Sequence, residues 1–394
     1  MSVISRRNFV LTTAAGMAAI GLPREAPAAN SYDVLITGGR VIDPASRLNA
    51  VRDVAIARGR IAAVSAGIAG TATETIDARG KLVVPGLIDI HTHAGRSTEG
   101  PLLLLKDGVT GWIDAGSLGA DRIEEPIAVA RSSPQLGRVL VNIGRSGILP
   151  DGDTMDLALA DVAAVSEAIA RHRDFVVGIK ARLSSNNTRD DYEVLKRAQQ
   201  AATKHGVPVM IHMGQSASPL PKLLDVLKKG DIVTHMFAPA PNGILDDAGR
   251  ILPAVRAARK RGVWFDVGNG VTGHIRWDVV ETVMKQDFWP DAISTDWNTM
   301  SRTTGVVDLP NCLSKMLGYG MKVADVVACA TTHSAQIFPA FKDRGTLKVG
   351  APADVAILEL RDGDFEFDDN YTNKVHGRQR LFPNTTFLAG VRRT

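Results

Sequence analysis

VVPGLIDIHTHAG, residues 83–95, is an apolar, strand-like run that ends in His91, Thr92 and His93. In a β-strand, residues i and i+2 face the same side, so both imidazoles project together from the strand's end. Neutral imidazole is the commonest protein ligand for zinc and its neighbours, and one cation can accept both nitrogens. For such a pair alone, the alternative is two histidines capping a buried strand. The surrounding chain decides between them.

Upstream, the runs DVLITGGRVIDP, DVAIARGRIAAVS and ETIDARGKLVVP are rich in Val and Ile and are punctuated by Gly38, Gly39, Gly59 and Gly80. This is a β-rich opening without helices. Past Pro85 the rhythm becomes strand, loop and helix. Eight candidate strands follow: GLIDIHTH, VTGWIDAGS, RVLVNIG, FVVGIKARL, VPVMIHMG, DIVTHMF, VWFDVGN and DAISTDW. Helical patterns fall between most of them, as in DLALADVAAVSEAIARH and in YEVLKRAQQAATKHG, which Gly206 stops. Such alternation builds a closed parallel sheet, and eight units predict a (β/α)8 TIM-like barrel, an α/β fold, over residues 86–342. GTLKVGAPADVAILEL returns to β character, so residues 32–85 and 343–394 are expected to form a small β-sandwich together. From Arg361 the chain is polar and gives no clear element until LFPNTTFLAGVR.

Barrel enzymes carry their working groups at the C-terminal ends of strands. His91 and His93 end the first candidate strand, Lys180 the fourth, His212 the fifth, His235 the sixth and Asp296 the eighth. With HxH, Lys, His, His and Asp in this order, the chain resembles the binuclear metal-dependent amidohydrolases over nearly all of its length. DAGS, GIKARLS, IHMGQS, ISTDWN and DLPNCLSKMLGYGM look most like the deacetylase and dihydroorotase-like subgroup. The resemblance implies two divalent ions, with His91, His93 and Asp296 on one and His212 and His235 on the other. Zinc is the default for such ligands. It also implies that Lys180 is carbamylated by carbon dioxide and bridges the ions beside a hydroxide, which attacks the substrate. Lys180 follows the apolar run FVVGI, where burial favours a neutral amine; an unmodified lysine in a salt bridge is the alternative. Asp296 would be the proton carrier.

Asp89, Asp114 and Asp266 sit near strand ends and are read as partners of ligands or loops. His172, His205, His333 and His376 fall outside the pattern. The glycine-rich DVGNGVTGHIRW follows the seventh strand, so Asn269 and His274 are candidates to bind the substrate or to hold the loop. Arg96, Arg145, Arg182 and Arg302 follow strands, and a guanidinium pairs bidentately with a carboxylate.

The N-terminus carries Arg6 and Arg7, an apolar stretch from Phe9 to Leu22, and small residues at Ala26, Ala28 and Ala29. Residues 1–29 therefore read as a twin-arginine-type export signal, implying the twin-arginine machinery as a partner and a periplasmic location. No later segment is apolar enough to enter a membrane, so none is expected as a partner once the signal is removed. A formal charge of +4, without basic runs, argues against nucleic acid. Cys312 and Cys329 read as buried thiols. A homo-oligomer stays open.

The expected reaction is hydrolysis of a small acyl amide or acyl ester whose substrate carries a carboxylate. A cyclic-amide hydrolase of dihydroorotase type is the alternative within the same chemistry, although Gly95 stands where dihydroorotases carry a carboxylate-reading arginine. Lactone or phosphotriester hydrolysis, and an exported metal- or solute-binding protein without turnover, are further readings.

Overall fold

A computed structural model describes residues 31–302, the last by its backbone only, and 308–394. The expected export signal, residues 1–29, lies outside the described residues, as does the side chain of Arg302. Among the described residues no helix is long and apolar enough to cross a membrane.

The chain opens with β1 (Ser31–Asp43), β2 (Leu48–Ala57), β3 (Arg60–Ser65), β4 (Thr71–Asp77) and β5 (Leu82–Pro85). Seven parallel strands follow: β6 (Leu87–Thr92), β7 (Val109–Gly119), β8 (Leu136–Asn142), β9 (Val176–Arg182), β10 (Val209–His212), β11 (Ile232–Thr234) and β12 (Trp264–Phe265). β13 (Val355–Asp368), β14 (Lys374–Leu388) and β15 (Val391–Arg392) close the chain. The helices between strands include α1 (Glu99–Lys106), α2 (Glu124–Ser132), α3 (Val162–Arg171) and α4 (Asp191–His205). Asp161 and Asp190 cap α3 and α4 by accepting backbone N–H bonds, and Gly206 ends α4 in the left-handed conformation.

Seven of the eight expected barrel strands form ladders. The eighth segment, residues 291–297, does not. It joins β12 to β6 through single bridges, Asp266 with Ala292 and Thr92 with Trp297. Its backbone is nonetheless bonded on both sides. Val267 N donates to Ala292 O at 3.1 Å and Asn269 N to Ser294 O at 3.0 Å; opposite, Asp296 N donates to His91 O at 2.7 Å. The ring of hydrogen bonds therefore closes. Two features prevent a regular ladder: Asp296 is left-handed at φ 51°, and the buried Asp89 carboxylate accepts from both Thr295 N and Thr295 Oγ1.

Inside the barrel, Ile88, Ile113, Leu140, Met210 and Ile232 form a buried layer with Phe338 and Phe341. Side chains two residues further along a strand share that inward face nearer its C-terminal end. Met210 and His212 illustrate the rule, and Lys180 Nζ lies 3.5 Å from Met210 Sδ.

The two chain ends share one eight-stranded sheet, in order β15-β14-β13-β5-β1-β2-β3, with β4 on β1. Val83 of β5 faces a small core with Val34, Ile36, Val54 and Ile56. Leu82 and Val84 join the main core against the barrel's helices. Cys312 and Cys329 are buried free thiols.

The polar stretch after Arg361 departs from expectation, because β13 and β14 form a long hairpin paired out to Asp368 and Lys374. Phe367 is buried in the main core, with Phe365 and Val375 packed against it, which pins the outer half of the hairpin to the barrel.

Candidate metal centre

His91, His93, Lys180, His212, His235 and Asp296 all line one cavity of about 520 Å³ at the C-terminal ends of the barrel strands. Three of the four imidazoles, those of His91, His93 and His235, are oriented from behind. The Thr234 hydroxyl donates to Asp266 Oδ2 at 2.7 Å, so toward His91 Nδ1, 2.9 Å away, it can only accept. The Ser117 hydroxyl likewise donates to Asp114 Oδ2 at 2.7 Å and accepts from His93 Nδ1 at 2.8 Å. His235 Nδ1 donates to the Gly268 carbonyl at 2.7 Å. In all three rings the proton sits on Nδ1 and Nε2 carries the lone pair, the state that a metal requires.

The donors converge. His91 Nε2 and His93 Nε2 lie 3.3 and 3.2 Å from Asp296 Oδ1. A charge-assisted hydrogen bond would be shorter, about 2.7–2.9 Å. Ligands about 2.0–2.1 Å from one tetrahedral ion stand roughly 3.3 Å apart, so this spacing fits a shared divalent cation. His91, His235 and Asp296 offer donor atoms all within 4.8 Å of one another, as do His212, His235 and His274. His235 and Asp296 hold left-handed backbones, φ 64° and 51°. Such strain costs on the order of 1–3 kcal/mol per residue and persists where the surroundings enforce it.

Burial sets the charge states. It lowers the His91 imidazole to about 4, with Lys180 adding to the shift, and holds His212 and His235 well below the ordinary histidine range. The rings are neutral at physiological pH. Burial pushes the Asp296 carboxyl up, but His91, His274 and His93 around it outweigh that and hold it well below the usual range. Lys180 is 1% exposed, and burial brings its ammonium down to about 7. Its Nζ lies 3.0 Å from His91 Nε2. The salt bridge that would keep it an ordinary lysine does not form among the described residues.

The other candidates divide. Arg96, Arg182 and His274 line the cavity. Arg182 is pinned by the buried Asp153 at 2.9 Å. Arg145 instead pairs with Asp121 and Asp161 at 2.8 and 3.2 Å, away from the cavity. Asn269 is a correction: it is 1% exposed, does not line the cavity, and accepts from Lys315 Nζ at 2.9 Å. The loop turns at Gly268 and Gly270, both left-handed, which carries Asn269 behind the wall. Asp114 and Asp266 hold the hydroxyls that orient His93 and His91. Four participants are visible only in the structure: Ser117 and Thr234, Tyr371, which lines the cavity, and Asn370, whose Oδ1 accepts from His274 N at 2.9 Å.

Residues 104–391 match the Amidohydrolase family. A deacetylase from Enterococcus faecalis is 32% identical over 371 residues, spanning 91% of this chain and 98% of its own. The chain belongs to the amidohydrolase family. A deacetylase of Agrobacterium fabrum is 29% identical over 342 residues, 82% of either chain. A solved structure described as an adenine deaminase superposes with a TM-score of 0.83 at 32% identity, covering 91% of this amidohydrolase and 98% of its own chain. A dihydroorotase structure, at 24% identity and a TM-score of 0.79, shares the fold. As an amidohydrolase this chain is a hydrolase acting on C–N bonds, of a family that generally uses a binuclear metal centre.

Asp266→Ala tests the orientation argument. Without that carboxylate the Thr234 hydroxyl can turn its hydrogen toward His91, and the ring loses its fixed tautomer. Metal affinity should fall about 10–100-fold, read by titrating metal-free protein against a chromophoric chelator. Wild-type affinity would remove Asp266 from the site's support.

Proposed function

We propose that this amidohydrolase removes a small acyl group from an amide or ester bearing a carboxylate, in the manner of a deacetylase. The observation that carries the reading is the convergence of the six strand-end residues on one cavity whose wall also holds Arg96 and Arg182. Two divalent ions, zinc by default, would be held by His91, His93 and Asp296 and by His212 and His235, with Lys180 between them as a carbamate. When bound, such ions polarise a carbonyl and acidify water from about 15.7 toward roughly 7.

The chain's own groups do the rest. The neutral Lys180 amine adds to carbon dioxide: its nitrogen lone pair forms the new N–C bond as one C=O pair moves onto oxygen, one N–H proton passes to solvent water, and the product is a carboxylate on a long stem. Asp296, ionised and facing three imidazoles, takes the proton of the attacking water and returns it to the departing nitrogen or oxygen. Arg96 and Arg182 suit a substrate carboxylate. The deacetylase names of the relatives support an acyl substrate.

Gly95 weighs against the dihydroorotase-type alternative. A Cβ there would lie 2.7 Å from Asp114 Oδ2 and 2.8 Å from Pro126 Cβ, so no arginine fits. The test is turnover by metal-loaded protein of N-acetyl amino acids of both hands, O-acetyl hydroxy acids, cyclic amides, lactones, phosphotriesters and adenine. Hydrolysis confined to acyl acids is expected. Turnover of adenine or cyclic amides alone would overturn the reading, and inactivity across the panel with both ions bound would favour a binding protein.

A further inference from the structure

Lys315 is a charge in an apolar place that the binuclear arrangement above does not use. It lies on the helix Leu309–Gly318, in which Leu309 through Met316 are all buried, and is itself 5% exposed. A lysine is almost never taken so far out of water unless something pairs with it. Among the described residues Lys315 forms no salt bridge. Its ammonium lies 5.5 Å from the centre of the Trp277 ring and donates a hydrogen bond to Asn269 Oδ1 at 2.9 Å.

Asn269 is the middle of a Gly268–Asn269–Gly270 turn that meets the metal centre on both sides. The Gly268 carbonyl accepts from His235 Nδ1 at 2.7 Å. Asn269 N donates to Ser294 O at 3.0 Å and Gly270 N to Thr295 O at 2.9 Å, directly ahead of Asp296. Both glycines are left-handed, φ 53° and 57°, and neither place has room for a side chain. A Cβ would fall 2.7 Å from His235 Nδ1 at Gly268 and 2.9 Å from Asp296 Oδ2 at Gly270. Glycine leaves a backbone its greatest freedom, so the residues that let the turn approach the ligands also make it soft. Packing does not stiffen it from behind: Asn269, Gly270 and Lys315 line a second cavity of about 360 Å³, and Val271 lines both cavities. The turn is a partition between two open volumes, and the Lys315 ammonium ties down its central side chain.

We propose that Lys315 is a positioning residue of the metal centre: acting through Asn269, it holds the glycine turn where the Gly268 carbonyl meets His235 and the segment ahead of Asp296 is fixed. The inference rests on the reading of His235 and Asp296 as metal ligands. A neutral side chain of similar length would serve the fold at least as well, because a charge held out of water without a counter-charge costs stability. The ammonium serves the turn instead.

Metal-free full-length protein is titrated with Co2+, whose visible absorption reports ligand geometry, and its melting temperature without metal is read by circular dichroism. Lys315→Met keeps the stem and removes the charge. It should bind Co2+ about tenfold more weakly, with an altered band, while melting at or above the wild-type temperature. Asn269→Ala breaks the same bond from the other side and should weaken binding to the same extent; the double variant should weaken it no further, since both side chains act through one bond. Asn269→Ala also carries the affinity test should Lys315→Met not fold. Wild-type affinity and band in Lys315→Met overturn the proposal. So do losses that add in the double variant, or a weaker affinity in Lys315→Met that comes with a lowered melting temperature, the mark of a purely structural lysine. Wild type that takes up no Co2+ overturns the ligand reading and this proposal with it, so the wild-type titration tells the two failures apart.

Discussion

Lys180→Ala is expected to lower kcat/KM by at least about 10³-fold, roughly 4 kcal/mol of transition-state stabilisation. The substitution removes the only stem that could carry a carboxylate between the ion positions from β9, and leaves His91 Nε2 without the neighbour now 3.0 Å away. Short carboxylic acids added to the variant should restore part of the activity, because they supply the missing oxygens in the space that alanine vacates. The same residue gives a pH dependence in the wild type. Only the neutral amine adds to carbon dioxide. With its ordinary value of 10.5, about one lysine in a thousand would be neutral near pH 7.5. With burial holding it at about 7, most are. Activation of metal-free protein by zinc at a fixed concentration of dissolved carbon dioxide should therefore quicken about tenfold from pH 6 to pH 8, as the neutral fraction rises through that value. A flat profile, or unmodified Lys180 in active enzyme by mass analysis under mild neutral conditions, would remove the carbamate.

Lys180 also shows why so much of this site is legible in the amino-acid sequence. Its position is fixed by a period of two on a strand and by the rule that barrel strands present their C-terminal ends to one cavity. The same two constraints bring His91 and His212 beside it, whereas His235, one residue past β11, enters the cavity through its left-handed backbone at φ 64°. Where backbone geometry departs from regular strand, legibility falls. DAISTDW reads as an eighth strand, yet Asp296 turns into the left-handed region so that its carboxylate meets His91 and His93, and the ladder is lost. Asn269 and His274 are five residues apart in one loop, and only the turn at Gly270 determines that the first faces Lys315 and the second the cavity. Asn370 lies 96 residues from His274, whose amide it holds, so no local pattern couples them. Phe365 and Phe367, alternating with acidic residues ahead of the turn-forming DDNYTN, are the available signal for the hairpin that brings it there. Ser117 and Thr234 are hydroxyls like many others; only their 2.7 Å bonds to Asp114 and Asp266 reveal that they fix imidazole tautomers.

Asp296→Asn separates holding the ions from moving the proton. The amide keeps the size of the carboxylate and one oxygen with a lone pair, so that oxygen can still meet the His91 and His93 side at 3.3 and 3.2 Å, and the metal content measured by elemental analysis should fall only in part. An amide accepts no proton at neutral pH, however, and the route from attacking water to leaving group is cut. Loss of a general acid–base group costs about 10²- to 10⁴-fold, so kcat should drop by that factor while KM changes little. The wild-type carboxyl is held well below the usual range by His91, His274 and His93, which prevail over the upward push of burial, so it is ionised across the neutral region. Unchanged turnover in a variant that still carries metal would refute Asp296 as proton carrier. A variant that loses all metal together with activity would instead show that the charge of Asp296 is required to hold the ions, and the proton-transfer question would pass to the rate of Asp296→Glu, which keeps the charge and moves it by one methylene.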